Sequence, residues 1–282
     1  MVNFRDNLSL EVYGGILVLI LLYAAFLFAG PIIVDFFFSS YPFIIYIWIQ
    51  FLILMILLTL LWFFIVPFGF KLPEEVESFT EYAEIIKLSK VKPIKLNLGL
   101  GVLFAAVLWL CSLIYSLLAG EYIFDPNVIF GAPTEENLGI FLFVKMLRPG
   151  LWEEIAFRGV ILTLLLKKFS VKKSIIIDGI LFGLMHFFNL IGGQDLFSTI
   201  SQVIYASTLG FAFAYLFIRT ESLIPCIISH YLINAVNPLF NNFNPTVNTF
   251  FSLFYAVIFI VILPPLINIY LIKIISDKYD SV

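Results

Sequence analysis

Eight apolar runs of roughly 17–28 residues cover most of this chain, at about 13–34, 43–69, 97–119, 140–166, 174–190, 197–218, 222–239 and 247–272. Each is long enough to cross a hydrocarbon layer of about 30 Å as a helix. A helix is also the element that satisfies its own backbone groups in lipid. Hydrophobic residues make up 62% of the 282 and charged residues 12%, a balance that leaves a soluble domain no way to keep its surface polar. The pattern predicts an all-α, polytopic membrane helix bundle of about eight transmembrane helices, forming a single integral membrane domain over 1–282. No basic tract or second domain interrupts it, so the lipid bilayer is an expected partner and nucleic acid is not.

The connections alternate in charge. Connections 35–42, 120–139, 191–196 and 240–246 contain no Lys or Arg. The other side receives Arg5, then Lys71, Lys87, Lys90, Lys92 and Lys95, then Lys167, Lys168, Lys172 and Lys173, then Arg219, Lys273 and Lys278. By the positive-inside rule both termini and these loops are expected to be cytoplasmic, with the plasma membrane as the default location. The exceptions among the 16 basic residues are Lys145, Arg148 and Arg158, all in the fourth run. Lys145 and Arg148 precede Pro149-Gly150, which should break the helix, so the true span is expected to begin near Gly150.

Three local features have plain readings. The first apolar run is too long for a signal-peptide core and no A-x-A site follows it, so it reads as a retained helix. Cys111 and Cys226 lie inside spans without metal or disulfide spacing. Segment 70–96 is the one sizeable polar connection. In it Val76, Phe79, Tyr82 or Ala83, and Ile86 recur at helical spacing, predicting an amphipathic helix on the cytoplasmic surface bounded by Pro73 and Pro93.

Against this apolar background a few ionisable and amide groups stand out: Glu153, Glu154 and Arg158 in the fourth run, His186 in the fifth, His230 and Asn234 in the seventh. Lipid makes such groups costly, about 2.5–3.5 kcal/mol each on insertion scales, so they usually mark a function. Counting about 1.5 Å per residue from the basic flanks, Glu153 lies roughly 21 Å in, His186 roughly 20 Å, His230 roughly 15 Å and Asn234 roughly 21 Å. They share one layer. Glu154 and Arg158 are spaced i,i+4, as are Phe182 and His186, and His230 and Asn234, so each pair shares a helix face. Glu153 is turned about 100° from Glu154 and can face another neighbour. Arg158 is expected to pin one carboxylate while the other exchanges a proton. Phe182 reads as a wall of the pocket. Gly179 and Gly183 form a small-xxx-small pair suited to close helix packing.

The chain has no H-E-x-x-H and no G-x-S-x-G, so the common zinc-protease helix and serine-hydrolase elbow are absent. Three readings of the polar set remain open. One is a metal-free site in which a Glu, assisted by a His, takes a proton from water while a His and an Asn donate to an oxyanion. Another is a His₂Glu zinc site. The third is a non-catalytic immunity, scaffold or transport protein whose charges serve other ends.

The ordered set Glu153-Glu154-x-x-x-Arg158, Phe182-x-x-x-His186 and His230-x-x-x-Asn234 resembles the three-motif signature of the CPBP family, the CAAX proteases and bacteriocin-processing enzymes also called the Abi family. Its eukaryotic branch includes the type II CAAX prenyl endopeptidase. The resemblance implies an intramembrane glutamate endopeptidase with a catalytic core over 150–238 and a cytosol-facing polar cavity. It implies that Glu153 and His186 activate the water, His230 and Asn234 form the oxyanion hole, and Glu154 and Arg158 support them. It implies no cofactor, with a zinc-dependent version of the same protease kept as the alternative. Its substrate would be a peptide or lipidated protein, prenylated or bearing a leader; oligomeric state does not follow from it.

Overall fold

The structure, a computed structural model, describes residues 8–91 and 93–280, with side chains through Lys278. Arg5 and Lys92 of the charge pattern, and both chain ends, lie outside the described residues. Among the described residues five helices are long and apolar enough to cross a membrane: Leu8–Phe38, Phe43–Phe70, Ile94–Ala119, Leu196–Thr220 and Thr249–Lys278. They are α1 (Leu8–Phe38), α2 (Phe43–Leu60) with wide π turns over Leu61–Phe70, α4 (Ile94–Ala119), α9 (Leu196–Thr220), and α11 (Thr249–Ala256) joined to α12 (Leu263–Asp280).

The other three expected spans are shorter or broken helices, and they are the ones that carry the polar groups. The fourth run divides into α6 (Phe141–Lys145) and a second helical stretch that opens at Pro149. That stretch winds through π turns over Pro149–Glu153 and Ile155–Ile161 into α7 (Leu162–Lys168). The break falls where Pro149 removes a backbone donor. The fifth run is α8 (Val171–Leu184), tightened to 3₁₀ geometry over Met185–Leu190. The seventh is α10 (Ile224–Val236). Short α5 (Asn127–Phe130) lies in the 120–139 connection. Beside it, β1 (Gly120–Tyr122) pairs antiparallel with β2 (Phe243–Pro245).

Segment 70–96 differs from expectation. Its helix, α3 (Phe79–Ile85), is a short one that starts at Ser78 rather than Pro73. Ser78 Oγ accepts from Glu81 N at 3.2 Å, while Glu81 Oε2 accepts from Glu77 N at 2.8 Å, a reciprocal cap. Lys87, in the left-handed region at φ 60°, stops it. Val76, Tyr82, Ala83 and Ile86 are buried, and only Phe79 of the expected apolar set is exposed. The apolar face therefore packs into the lysine-bearing end of the bundle, while Glu77, Thr80, Glu81 and Glu84 stay exposed. Beyond this helix, Leu223 N donates to Lys87 O at 3.2 Å and Ser222 Oγ to Lys90 O at 2.6 Å. Lys90 also pairs with Glu221, whose carboxyl it holds below the ordinary carboxylate value.

Glycines set the helix spacing around the polar groups. A Cβ at Gly183 would lie 1.9 Å from Ser207 Oγ and 2.5 Å from Val203 O of α9. At Gly179 it would meet the Phe211 ring at 2.2 Å, and at Gly150 the Tyr231 backbone of α10 at 3.0 Å. The small-xxx-small reading of 179 and 183 thus corresponds to a true backbone approach of α8 to α9. Gly183→Ala is expected to destabilise by about 1–3 kcal/mol, as overpacking does. A thermal transition in detergent unchanged from wild type would contradict so close an approach.

Candidate active site

Three short helices bring the polar residues together. Glu154 and Arg158, one turn apart before α7, are both fully buried, with Arg158 Nη1 3.2 Å from Glu154 Oε1. Arg158 Nη2 donates to Gly210 O at 3.1 Å, and Arg158 Nε lies 3.5 Å from Asp178 Oδ2 of α8. The guanidinium sits 4.3 Å from the Phe182 ring centroid and 5.1 Å from that of Phe213, both within cation–π range. One buried cation is therefore held between two carboxylates and two aromatic faces.

The same Glu154 oxygen reaches α10. His230 Nδ1 lies 2.6 Å from Glu154 Oε1. A carboxylate accepts, so Nδ1–H donates and the ring orientation is set. Phe213 stacks on the imidazole at 5.4 Å with a 21° interplanar angle. His230 Nε2 then faces Glu153 Oε2, 3.9 Å away. Glu153 is the accessible carboxylate of the pair, its side chain 23% exposed against 0% for Glu154. Adjacent positions 100° apart on a helix give the two carboxylates different surroundings.

His186 joins through Phe182. Its Nδ1 is 3.0 Å from Phe182 O, and because a carbonyl only accepts, Nδ1 carries the proton and Nε2 is left for other partners. The Phe182 ring touches both imidazoles edge-on, at 5.4 Å from His186 and 5.8 Å from His230. Phe182 thus sits between both histidines and Arg158, more central than a wall. Asn234 stands one turn beyond His230 on α10 and is half-buried. Direct contacts link Glu153, Glu154, Arg158, Phe182, His186 and His230. The measured approach of Glu153 is to His230 rather than to His186.

Two participants were missing from the sequence reading. Asp178 is fully buried against Arg158, and its spacing to Phe182 and His186 by successive fours was a legible signal. Phe213 carried no signal, being one of 33 phenylalanines. Among the described residues no three His, Cys, Asp or Glu side chains are arranged to hold a metal ion.

The accessible members lie toward the lysine-poor end of the bundle. Glu153 closes the π turn that starts at Pro149, whereas Lys167 and Lys168 end α7. His186 lies in the 3₁₀ turn before Ile191, and Asn234 is two residues from the end of α10. On the lysine side, Ile86 and Leu223 pack against Gly159 at 3.2 and 3.3 Å from where its Cβ would be. Tyr82 and Ile86 are buried at that end.

Comparison with known proteins agrees with the motif order. Residues 135–236 match the family model for type II CAAX prenyl endopeptidase Rce1-like proteins. No curated protein and no solved structure matches the chain. The matched stretch contains Glu153, Glu154, Arg158, Asp178, Phe182, His186, His230 and Asn234. Residues 135–236, in a chain with several helices long and apolar enough to span a membrane, are thus similar to the type II CAAX prenyl endopeptidases, which supports assigning this multi-pass membrane protein to the CAAX proteases.

Proposed function

We propose that this chain is a metal-free intramembrane endopeptidase with Glu153 as its general base. The observation that carries the reading is the unequal carboxylate pair. Glu154 is buried and committed to Arg158 and His230, while Glu153 is accessible and faces His230 Nε2 at 3.9 Å. That gap is too long for a direct hydrogen bond and fits a shared third atom. Glu153, assisted by His186, takes a proton from water; the hydroxide attacks the peptide carbonyl carbon. With its Nδ1–H held by Glu154, His230 donates to the resulting oxyanion from Nε2 as the imidazolium, together with the Asn234 amide. The tetrahedral intermediate then collapses, the C–N bond breaks, and the proton held by Glu153 passes to the leaving amine. Glu154, Arg158, Asp178 and Phe182 hold His230 and the helix geometry.

With the lysine-bearing loops cytoplasmic, as their charge favours, the peptide approaches Glu153 from the opposite face. The substrate is a membrane-associated peptide or lipidated protein, and the plasma membrane is the proposed location. His230→Ala and Asn234→Ala are expected to lower kcat about 10²–10³-fold with a smaller change in KM. A change confined to KM would assign both residues to substrate binding instead. Chelator treatment of purified protein should leave turnover unchanged. Reversible loss of activity with removal of stoichiometric zinc would overturn the metal-free reading.

A further inference from the structure

Lys145 and Arg148 take no part in the site just described. Lys145 ends α6 and Arg148, three residues on, immediately precedes Pro149; both are half-buried. Among the described residues neither forms an ion pair. Charges in such a segment are normally paired or face a cavity. These two face a cavity: they line a cleft of about 40 Å³ together with Gln50, Phe51, Leu54 and Phe141.

The cleft adjoins the site. Met55, next to Leu54, accepts a hydrogen bond from Trp152 Nε1 at 3.1 Å, and Trp152 directly precedes Glu153. Arg148 and Glu153 are five residues apart, about 7.5 Å of helix rise. An extended peptide covers that distance in about two residues. A guanidinium fork, an ammonium and an amide beside aromatic and aliphatic walls suit a carboxylate attached to an apolar segment.

We propose that the Lys145–Arg148 cleft is a subsite that receives a carboxylate of the substrate peptide, about two residues from the bond that is cut. The proposal rests on the peptidase reading, and continuity with Glu153 favours a peptide over a phospholipid headgroup as the occupant.

Binding to the full-length Glu153→Gln protein, in discs of neutral phosphatidylcholine, separates the two ideas. The probes are fluorescent lipid-anchored peptides in which each carboxylate, side-chain or C-terminal, is replaced in turn by its amide. One replacement should weaken binding at least about tenfold, the loss expected when one partner of a charge-assisted contact goes. The same replacement should have no effect in proteins that also carry Arg148→Gln or Lys145→Gln. Arg148→Lys, which keeps the charge, should retain most of the binding. Indifference to every carboxylate overturns the subsite, as does uniformly weak binding of all peptides. Binding that instead follows added phosphatidylglycerol and is lost in Arg148→Gln also overturns it, assigning the cleft to anionic lipid. Cleavage by wild type without carboxylate coupling rejects the subsite alone. Coupling without cleavage rejects the peptidase reading and leaves the subsite standing.

Discussion

Arg158→Leu is expected to cost about 3–5 kcal/mol of stability, the usual result of removing one member of a buried ion pair. Arg158 is fully buried between Glu154 and Asp178, 3.2 and 3.5 Å away. Leucine leaves two carboxylates without a counter-charge in an environment that penalises them heavily. It also removes the donor to Gly210 O and the cation lying on the Phe182 and Phe213 rings. A loss of that size is enough to deplete folded protein, so the variant should fail to yield a monodisperse species in detergent. Adding Asp178→Asn to Arg158→Leu removes one stranded charge and should recover part of the loss. A single Arg158→Leu variant with a wild-type thermal transition would mean that the cluster is not held together by this cation.

Much of this arrangement was legible in the sequence because lipid leaves few alternatives. Long apolar runs become helices, and ionisable residues placed within them must find one another or water. Glu154–Arg158 and the convergence of His186 and His230 follow from spacing and depth on that principle. The count of spans was less legible. Pro149 divides one run, and 3₁₀ geometry shortens the straight part of α8, so the polar helices are shorter than their hydropathy indicates. Asp178 was within reach of the same spacing rule that linked Phe182 to His186.

The packing partners of α3 were not legible, for a physical reason. Apolar spacing marks the buried face of a seven-residue helix but not what covers it. Tyr82 and Ile86 are buried through contacts with helices far away in sequence. The cleft of Lys145 and Arg148 was likewise hidden, since its other wall comes from α2, about 100 residues earlier. Phe213 on His230 belongs to the same class, an aromatic contact that only tertiary packing selects.

Glu153→Gln should separate chemistry from folding. Glu153 is partly exposed and stands apart from the Glu154–Arg158–Asp178 ion-pair group, with His230 Nε2 3.9 Å away. Glutamine keeps the shape and removes the proton acceptor. Loss of a general base lowers turnover about 10²–10⁴-fold, with little reason for stability to move. Glu154→Gln behaves differently, because its oxygen holds both Arg158 and His230, so stability and turnover should fall together. The most direct test is cleavage of a membrane-anchored peptide by purified wild-type and Glu153→Gln protein, each with its thermal transition measured in the same detergent. Catalysis by Glu153 predicts matching transitions and cleavage reduced by at least about 10²-fold. Equal cleavage by the two proteins would contradict it.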